Sequence, residues 1–254
     1  MTTPTLVCVS LKMYFGHAQT LAWIDDVASL ASSHPAIIDG SVELFVIPTF
    51  VSLVECVDRL QGTGVIVGAQ DLAAEDSGAF TGEVSGAELA EVGAAVVEIG
   101  HAERRSLFGE TDEVVAAKTS AALRNGLTPV LCIGEKSRTS PADAAAECIR
   151  QLRSAIEGSA EGRLIVAYEP VWAIGAAQPA DAAYTRDVCA IIRGAVTGLP
   201  NHKNSVVIYG GSAGPGLLSE LGVQVDGLFL GRFAHDPAAL RSVIDEAAER
   251  TVAA

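Results

Sequence analysis

The sequence predicts an α/β fold, a closed (β/α)8 barrel of eight parallel strands each followed by a helix. Three observations carry that expectation. Short β-branched runs alternate with longer alanine-rich amphipathic stretches along all 254 residues. The short runs are almost wholly apolar, the pattern of strands covered on both faces. Eight such units in a chain of this length fit the barrel, and no glycine fingerprint follows the first run to favour a dinucleotide-binding sheet.

Each element has its own signal. The first strand is expected over Thr5–Ser10 and the next helix over Ala18–Ala31. The second and third strands fall at Val42–Ile47 and Val65–Ala69. A fourth, Val96–Gly100, precedes a helix over Thr111–Asn125 that Asn125-Gly126 closes with a C-cap signal. The fifth, Thr128–Ile133, leads to a helix over Pro141–Ile156, opened by Ser140 as N-cap and a first-turn proline. The sixth, Leu164–Tyr168, is followed by a helix over Ala180–Val196. The seventh and eighth are Ser205–Tyr209 and Gly227–Leu230, and a last helix covers Asp236–Glu249. No composition shift or Pro/Gly-rich linker divides the chain, so a single domain over residues 1–254 is expected.

Composition narrows the function classes. Apolar residues make up 49% and charged residues 19%, ample for a packed core. A formal net charge of −14 repels nucleic acid and anionic membrane, so neither is an expected partner. The same charge opposes an anionic substrate at long range, so a phosphate site has to be built from local donors. The five cysteines, Cys8, Cys56, Cys132, Cys148 and Cys189, are odd in number and form no C-x-x-C. Buried thiols in a reducing cytoplasm are the simplest reading, with no metal and no cofactor. No apolar run approaches the ~18 residues of a spanning helix.

Chemistry in such a barrel belongs at the C-terminal strand ends. Lys12 follows the first strand there, either a solvated surface lysine or a fixed cation for phosphate and developing charge. His101 follows the fourth strand, directly before a helix, where amide N–H groups disfavour an imidazolium. Glu103, Arg104 and Arg105 next to it suit structural ion pairs equally well. Glu169 follows the sixth strand and opens an apolar loop, Pro170-Val171-Trp172-Ala173-Ile174-Gly175. A loop this apolar suits a base attached to a cover that excludes water. Glycine turns follow both the seventh and eighth strands, at Gly210-Gly211-Ser212 and Gly231-Arg232. Paired there, they let backbone N–H groups approach a phosphate.

Together these segments resemble triosephosphate isomerase over essentially the whole chain, and that likeness implies the TIM barrel. The carrying stretches are Leu11-Lys12-Met13, Gly68-Ala69-Gln70, Gly78 to Glu83, Gly100-His101 with Glu103-Arg104-Arg105, Phe108-Gly109-Glu110, Cys132 to Glu135, Tyr168 to Gly175 and Tyr209 to Ser212. The resemblance implies a proton-transfer isomerase with Glu169 as base, His101 polarising the carbonyl, Lys12 supplying positive charge and Glu103 pairing with Lys12. It implies a phosphate held by the amides of Gly175, Ser212, Gly231 and Arg232. Pro170 and Trp172 would belong to the lid, and Ile174 and Phe229 would clamp the base. A homodimer is implied too, with Thr81 in the loop after the third strand reaching the partner.

The chain departs from that family at Ser10, where the family has asparagine, and at Ala102, where it has serine. It also departs at Phe229, usually leucine, and at Arg232, usually a second glycine. The ionisable groups are kept and the changes shape the pocket. Serine for asparagine frees volume for a substrate one hydroxymethyl longer, away from the phosphate. The chain is similar at Ser10, Phe229 and Gly231-Arg232 to the tetrulose-phosphate isomerases of four-carbon polyol catabolism. That likeness implies interconversion of L-erythrulose 1-phosphate and D-erythrulose 4-phosphate. The alternative is interconversion of dihydroxyacetone phosphate and D-glyceraldehyde 3-phosphate.

Overall fold

A computed structural model describes residues 3–174 and 180–253. Eight strands close into a parallel barrel in sequence order: β1 (Thr5–Ser10), β2 (Val42–Ile47), β3 (Ile66–Ala69), β4 (Val96–Ile99), β5 (Thr128–Ile133), β6 (Ile165–Tyr168), β7 (Val206–Gly210) and β8 (Gly227–Leu230). β1 pairs with β8 through Leu6 opposite Gly227 and Val9 opposite Leu230, which seals the ring. The surrounding helices are α1 (His17–Ser33), α2 (Pro35–Ile38), α3 (Phe50–Leu60), α4 (Gly86–Glu91), α5 (Ala102–Leu107), α6 (Asp112–Arg124), α7 (Pro141–Ala155), α8 (Ala182–Thr197), α9 (Leu217–Leu221) and α10 (Pro237–Ala253).

The apolar runs divide by period two into two cores. Leu6, Cys8, Phe45, Ile47, Val130, Cys132, Ile165, Ala167, Ile208 and Phe229 fill the barrel interior. Their alternates, such as Val7, Val9, Val46, Leu131, Val166 and Leu228, pack outward against the helices. Strands buried on both faces need no polar positions, which is why the runs read as continuous. All five cysteines are free and buried. Among the described residues no helix is long and apolar enough to cross a membrane.

Several predicted boundaries move by one or two residues, each for a local reason. Gly100 leaves β4 because its φ is +69°. The eighth helix starts at Ala182, not Ala180, since Asp181 is its N-cap and accepts from the Tyr184 N–H at 2.8 Å. Ser205 is spent outside β7: its hydroxyl donates to the His202 carbonyl and accepts the Leu164 N–H. The expected caps of α6 and α7 are in place, with Ser140 accepting from Asp143 N–H and Gly126 at φ +75°.

Candidate active site

The strand register brings the expected residues to one end of the barrel. A cavity of about 100 Å³ there is walled by Ser10, Lys12, His101, Glu169, Ile174, Gly211, Ser212, Phe229, Leu230 and Gly231. Gly175 lies outside the described residues.

Lys12 adopts φ +47°, a left-handed conformation that costs a non-glycine residue about 1–3 kcal/mol. Gln70 holds it there by donating to the carbonyls of Lys12 at 3.0 Å and Ile47 at 3.2 Å. The bent backbone delivers the ammonium into the mouth, where Nζ meets Glu103 Oε1 at 2.7 Å. This pairing keeps Lys12 protonated and raises its pKa against the opposing pull of burial.

His101 caps α5. Its Nδ1 accepts the Glu103 backbone N–H at 3.1 Å, so the ring proton of the neutral form sits on Nε2. Burial first, then the charge of Lys12, pushes its pKa down to about 4. At neutral pH His101 is therefore an uncharged donor aimed into the mouth. Nε2 lies 3.5 Å from Glu169 Oε2.

Glu169 continues β6, and its N–H donates to the Ile133 carbonyl at 2.9 Å. It is 7% exposed, and its Oε2 finds no hydrogen-bond partner. Burial, and secondarily the charge of Glu98, raise its pKa to about 8. A carboxylate with so little solvation is a strong base when ionised. Two glycines make room for it. A Cβ on Gly210 would lie 2.8 Å from Glu169 Cγ and Oε1, and one on Gly134 would lie 1.8 Å from the Glu169 carbonyl oxygen.

The loop beyond Glu169 is anchored at its start. Pro170 is buried, and a 3-10 turn spans Val171–Ala173. Trp172 Nε1 donates to Glu135 Oε1 at 2.6 Å, and the hydroxyls of Tyr168 and Tyr184 reach the same oxygen at 3.2 and 3.0 Å. Arg138 covers Trp172 with its guanidinium 5.2 Å from the ring centroid. Ile174 and Phe229 stand on the cavity wall near the carboxylate.

The remaining motif residues separate by position. Arg104 and Lys118 alternate with Asp71 and Glu110 in a largely buried four-membered network, and Arg105 ties Asp112 to the Gly100 carbonyl. These arginines brace the His101 turn and do not enter the cavity. The Arg232 side chain lies over Tyr14, 5.4 Å from its ring centroid, leaving Gly231 and Ser212 on the cavity wall. Thr81 is exposed on the long loop after β3. Nothing around Ala102 explains the residue chosen there.

Two residues were not singled out by the sequence. Glu135 is the anchor just described, and its partners are scattered along the chain. Glu98 is buried inside β4, where its Oε2 accepts from Ser10 Oγ at 2.9 Å. Its signal was local: one acid in an otherwise apolar parallel strand.

A barrel mouth with a buried carboxylate, a neutral imidazole donor and glycine turns facing one cavity fits a sugar-phosphate isomerase. The sequence matches the family profile described as triosephosphate isomerase over residues 5–247, and the chain belongs to that family. It is 54% identical over 243 residues to the L-erythrulose-1-phosphate isomerase of Pectobacterium atrosepticum, covering 94% of each chain. It is 41% identical to the triosephosphate isomerase of Mycobacteroides abscessus, covering 93% of this chain and 94% of the other. The crystal structure of triosephosphate isomerase from Bartonella henselae superposes with a TM-score of 0.81 at 27% identity, covering 95% of this chain and 98% of that one.

Proposed function

We propose that the protein interconverts L-erythrulose 1-phosphate and D-erythrulose 4-phosphate in four-carbon polyol catabolism. The observation that carries the choice of substrate is Ser10 at the cavity floor, a small side chain hydrogen-bonded to Glu98 and open to the mouth. The 54% identity to an L-erythrulose-1-phosphate isomerase supports it.

The geometry supports the following chemistry. Glu169 removes the proton from C3 of the ketose, and the electrons move to make the C2–C3 double bond. The C2 oxygen gains charge, stabilised by the N–H at His101 Nε2 and the ammonium of Lys12. Glu103 steadies that ammonium. His101 passes a proton between the two neighbouring oxygens, and the acid form of Glu169 returns its proton to C2. The carbonyl now stands at C3 and no atom is lost. The phosphate rests on backbone donors at Ser212, Gly231 and Arg232, joined by Gly175, so an acidic protein needs no basic cluster to hold it. Pro170 and Trp172 start the lid, while Ile174 and Phe229 keep the base dry. No cofactor enters this scheme. We place the enzyme in the cytoplasm, where five free thiols stay reduced, and as a homodimer with Thr81 at the contact.

The test is kcat/KM for L-erythrulose 1-phosphate against dihydroxyacetone phosphate on one preparation. A preference for the tetrulose of tenfold or more is expected. A preference for the triose makes the protein a triosephosphate isomerase.

A further inference from the structure

One acid behind the cavity wall is given no part in the proton-transfer scheme above. Glu98 is the third residue of β4 and shares the inward phase of Val96, so its carboxylate lies in the top layer of the barrel interior. It is 3% exposed. Its Oε2 takes the hydrogen of Ser10 Oγ, and its Oε1 lies 3.7 Å from His101 Nε2. Lys12 is held by Glu103, and among the described residues no lysine or arginine reaches Glu98 at contact distance. An apolar residue would pack this layer with no desolvation cost, whereas a buried acid without a partner cation is destabilising. Fold stability therefore gives no reason for it.

The hydrogen-bond inventory supplies one. A serine hydroxyl has one proton, and here it is donated to Glu98. With Glu98 ionised, Ser10 can offer only lone pairs toward the cavity, and the carboxylate behind it is also an acceptor. This wall is thus acceptor-only, beside donors at His101 and Lys12 that suit a carbonyl oxygen. What complements an acceptor-only wall is an alcohol hydroxyl. Burial pushes the Glu98 pKa up to about 7, so a hydroxyl donated into the pair also helps keep the acid ionised.

We propose that Glu98 is a specificity-determining positioning residue: it holds the Ser10 hydroxyl so that Ser10 receives the terminal hydroxyl of a four-carbon ketose phosphate, a group that a triose phosphate does not place there. The proposal rests on the tetrulose reading above and deepens it. It differs from a general electrostatic effect on Glu169, which would alter every substrate alike.

The experiment pairs a change in the protein with a change in the substrate. kcat and KM are measured for L-erythrulose 1-phosphate and for its 4-deoxy analogue, which carries a methyl group in place of the terminal CH2OH. The wild type, Glu98→Leu and Glu98→Gln are compared, with circular dichroism as the folding control. The wild type is expected to favour the hydroxylated substrate by about 30-fold, the scale of one hydrogen bond to a charged acceptor. Glu98→Leu should reduce that preference to about threefold or less, and Glu98→Gln, which keeps an accepting oxygen, to an intermediate value. Should Glu98→Leu not fold, Glu98→Gln carries the test, and an undiminished preference in it overturns the proposal. Equal losses on both substrates also overturn it, because they mark a role in the fold or in the charge of the base. A wild type that turns over dihydroxyacetone phosphate and neither four-carbon compound sinks the substrate reading and this proposal together. A wild type active on the tetrulose, with its preference unmoved by Glu98→Leu, sinks this proposal alone.

Discussion

The two sides of the barrel mouth are built from different materials. The side formed by β6, β7 and β8 relies on backbone. Gly210 clears space for Glu169 and Gly211 for the Tyr209 ring, and Gly211, Ser212 and Gly231 line the cavity. The side formed by β1 and β4 relies on side chains: Lys12 on Glu103, Ser10 on Glu98, and His101 oriented by an N–H two residues on. Backbone geometry tolerates little change, and by the resemblance the first side keeps glycine at 210, 211 and 231, while Ala177 and Arg232 stand where the family usually has glycine. Side-chain pairs can be exchanged in concert, and Ser10 with Glu98 is such a pair. On the reading proposed above, the comparison puts the grip and the base on the rigid wall and substrate choice on the exchangeable one.

The largest effect belongs to the base. Glu169→Gln keeps the shape and removes the proton acceptor, so turnover should fall by about 10²–10⁴-fold while the fold and phosphate binding persist. Single-turnover kinetics with inorganic phosphate as a competing ligand would show it, and retained turnover would remove Glu169 from its role. Next comes the rigid wall. Gly210→Ala puts a methyl group 2.8 Å from the Glu169 carboxylate. A displaced base should lower kcat by about 10²-fold, the scale of a 1 Å misplacement. A loss of similar size on three- and four-carbon substrates marks an effect on chemistry; a selective one would blur the two walls. On the exchangeable wall, Ser10→Asn should move preference toward the triose by ~1–3 kcal/mol, read as the ratio of the two kcat/KM values. An unchanged ratio would mean that the serine is not what sets substrate length.

Sequence legibility followed the same division. The strands were readable because most of their side chains, inside or outside the barrel, are apolar, and the turn after β7 because a side chain at Gly210 or Gly211 would collide with Glu169 or Tyr209. Helix α3 was less visible. Its buried Leu53, Cys56 and Leu60 have helical spacing, but exposed Val51 and Val54 blur the stripe. The roles of Glu98 and Glu135 depend on partners far away in the chain. Ser10 is 88 residues from Glu98, and Tyr184 is 49 from Glu135, distances that no local window spans. Glu98 still left a trace, since inward alternation from Val96 in a buried strand puts an acid where a valine belongs. The family resemblance named Arg232 for its amide, and only the structure places its guanidinium over Tyr14.

The dry setting of Glu169 has a thermodynamic consequence for the whole molecule. Its pKa is near 8 in the folded chain, against about 4.5 for an unperturbed glutamate, so the native state holds that proton more tightly than the unfolded state does. The stabilisation this gives is complete below about pH 4.5 and is lost as pH rises through 8. His101 works at the other end: its folded pKa near 4, against 6.5, withdraws stability as pH falls from 6.5 toward 4. The native state thus favours the uncharged forms of both groups, while the proposed proton abstraction needs the acid ionised. Glu169→Gln should accordingly melt higher than the wild type at pH 9 and close to it at pH 5, measured by thermal unfolding at the two values. A resident negative charge in that pocket works against the fold that holds it, and a phosphorylated substrate clasped by backbone amides would return the deficit, making the enzyme sturdiest when it is occupied.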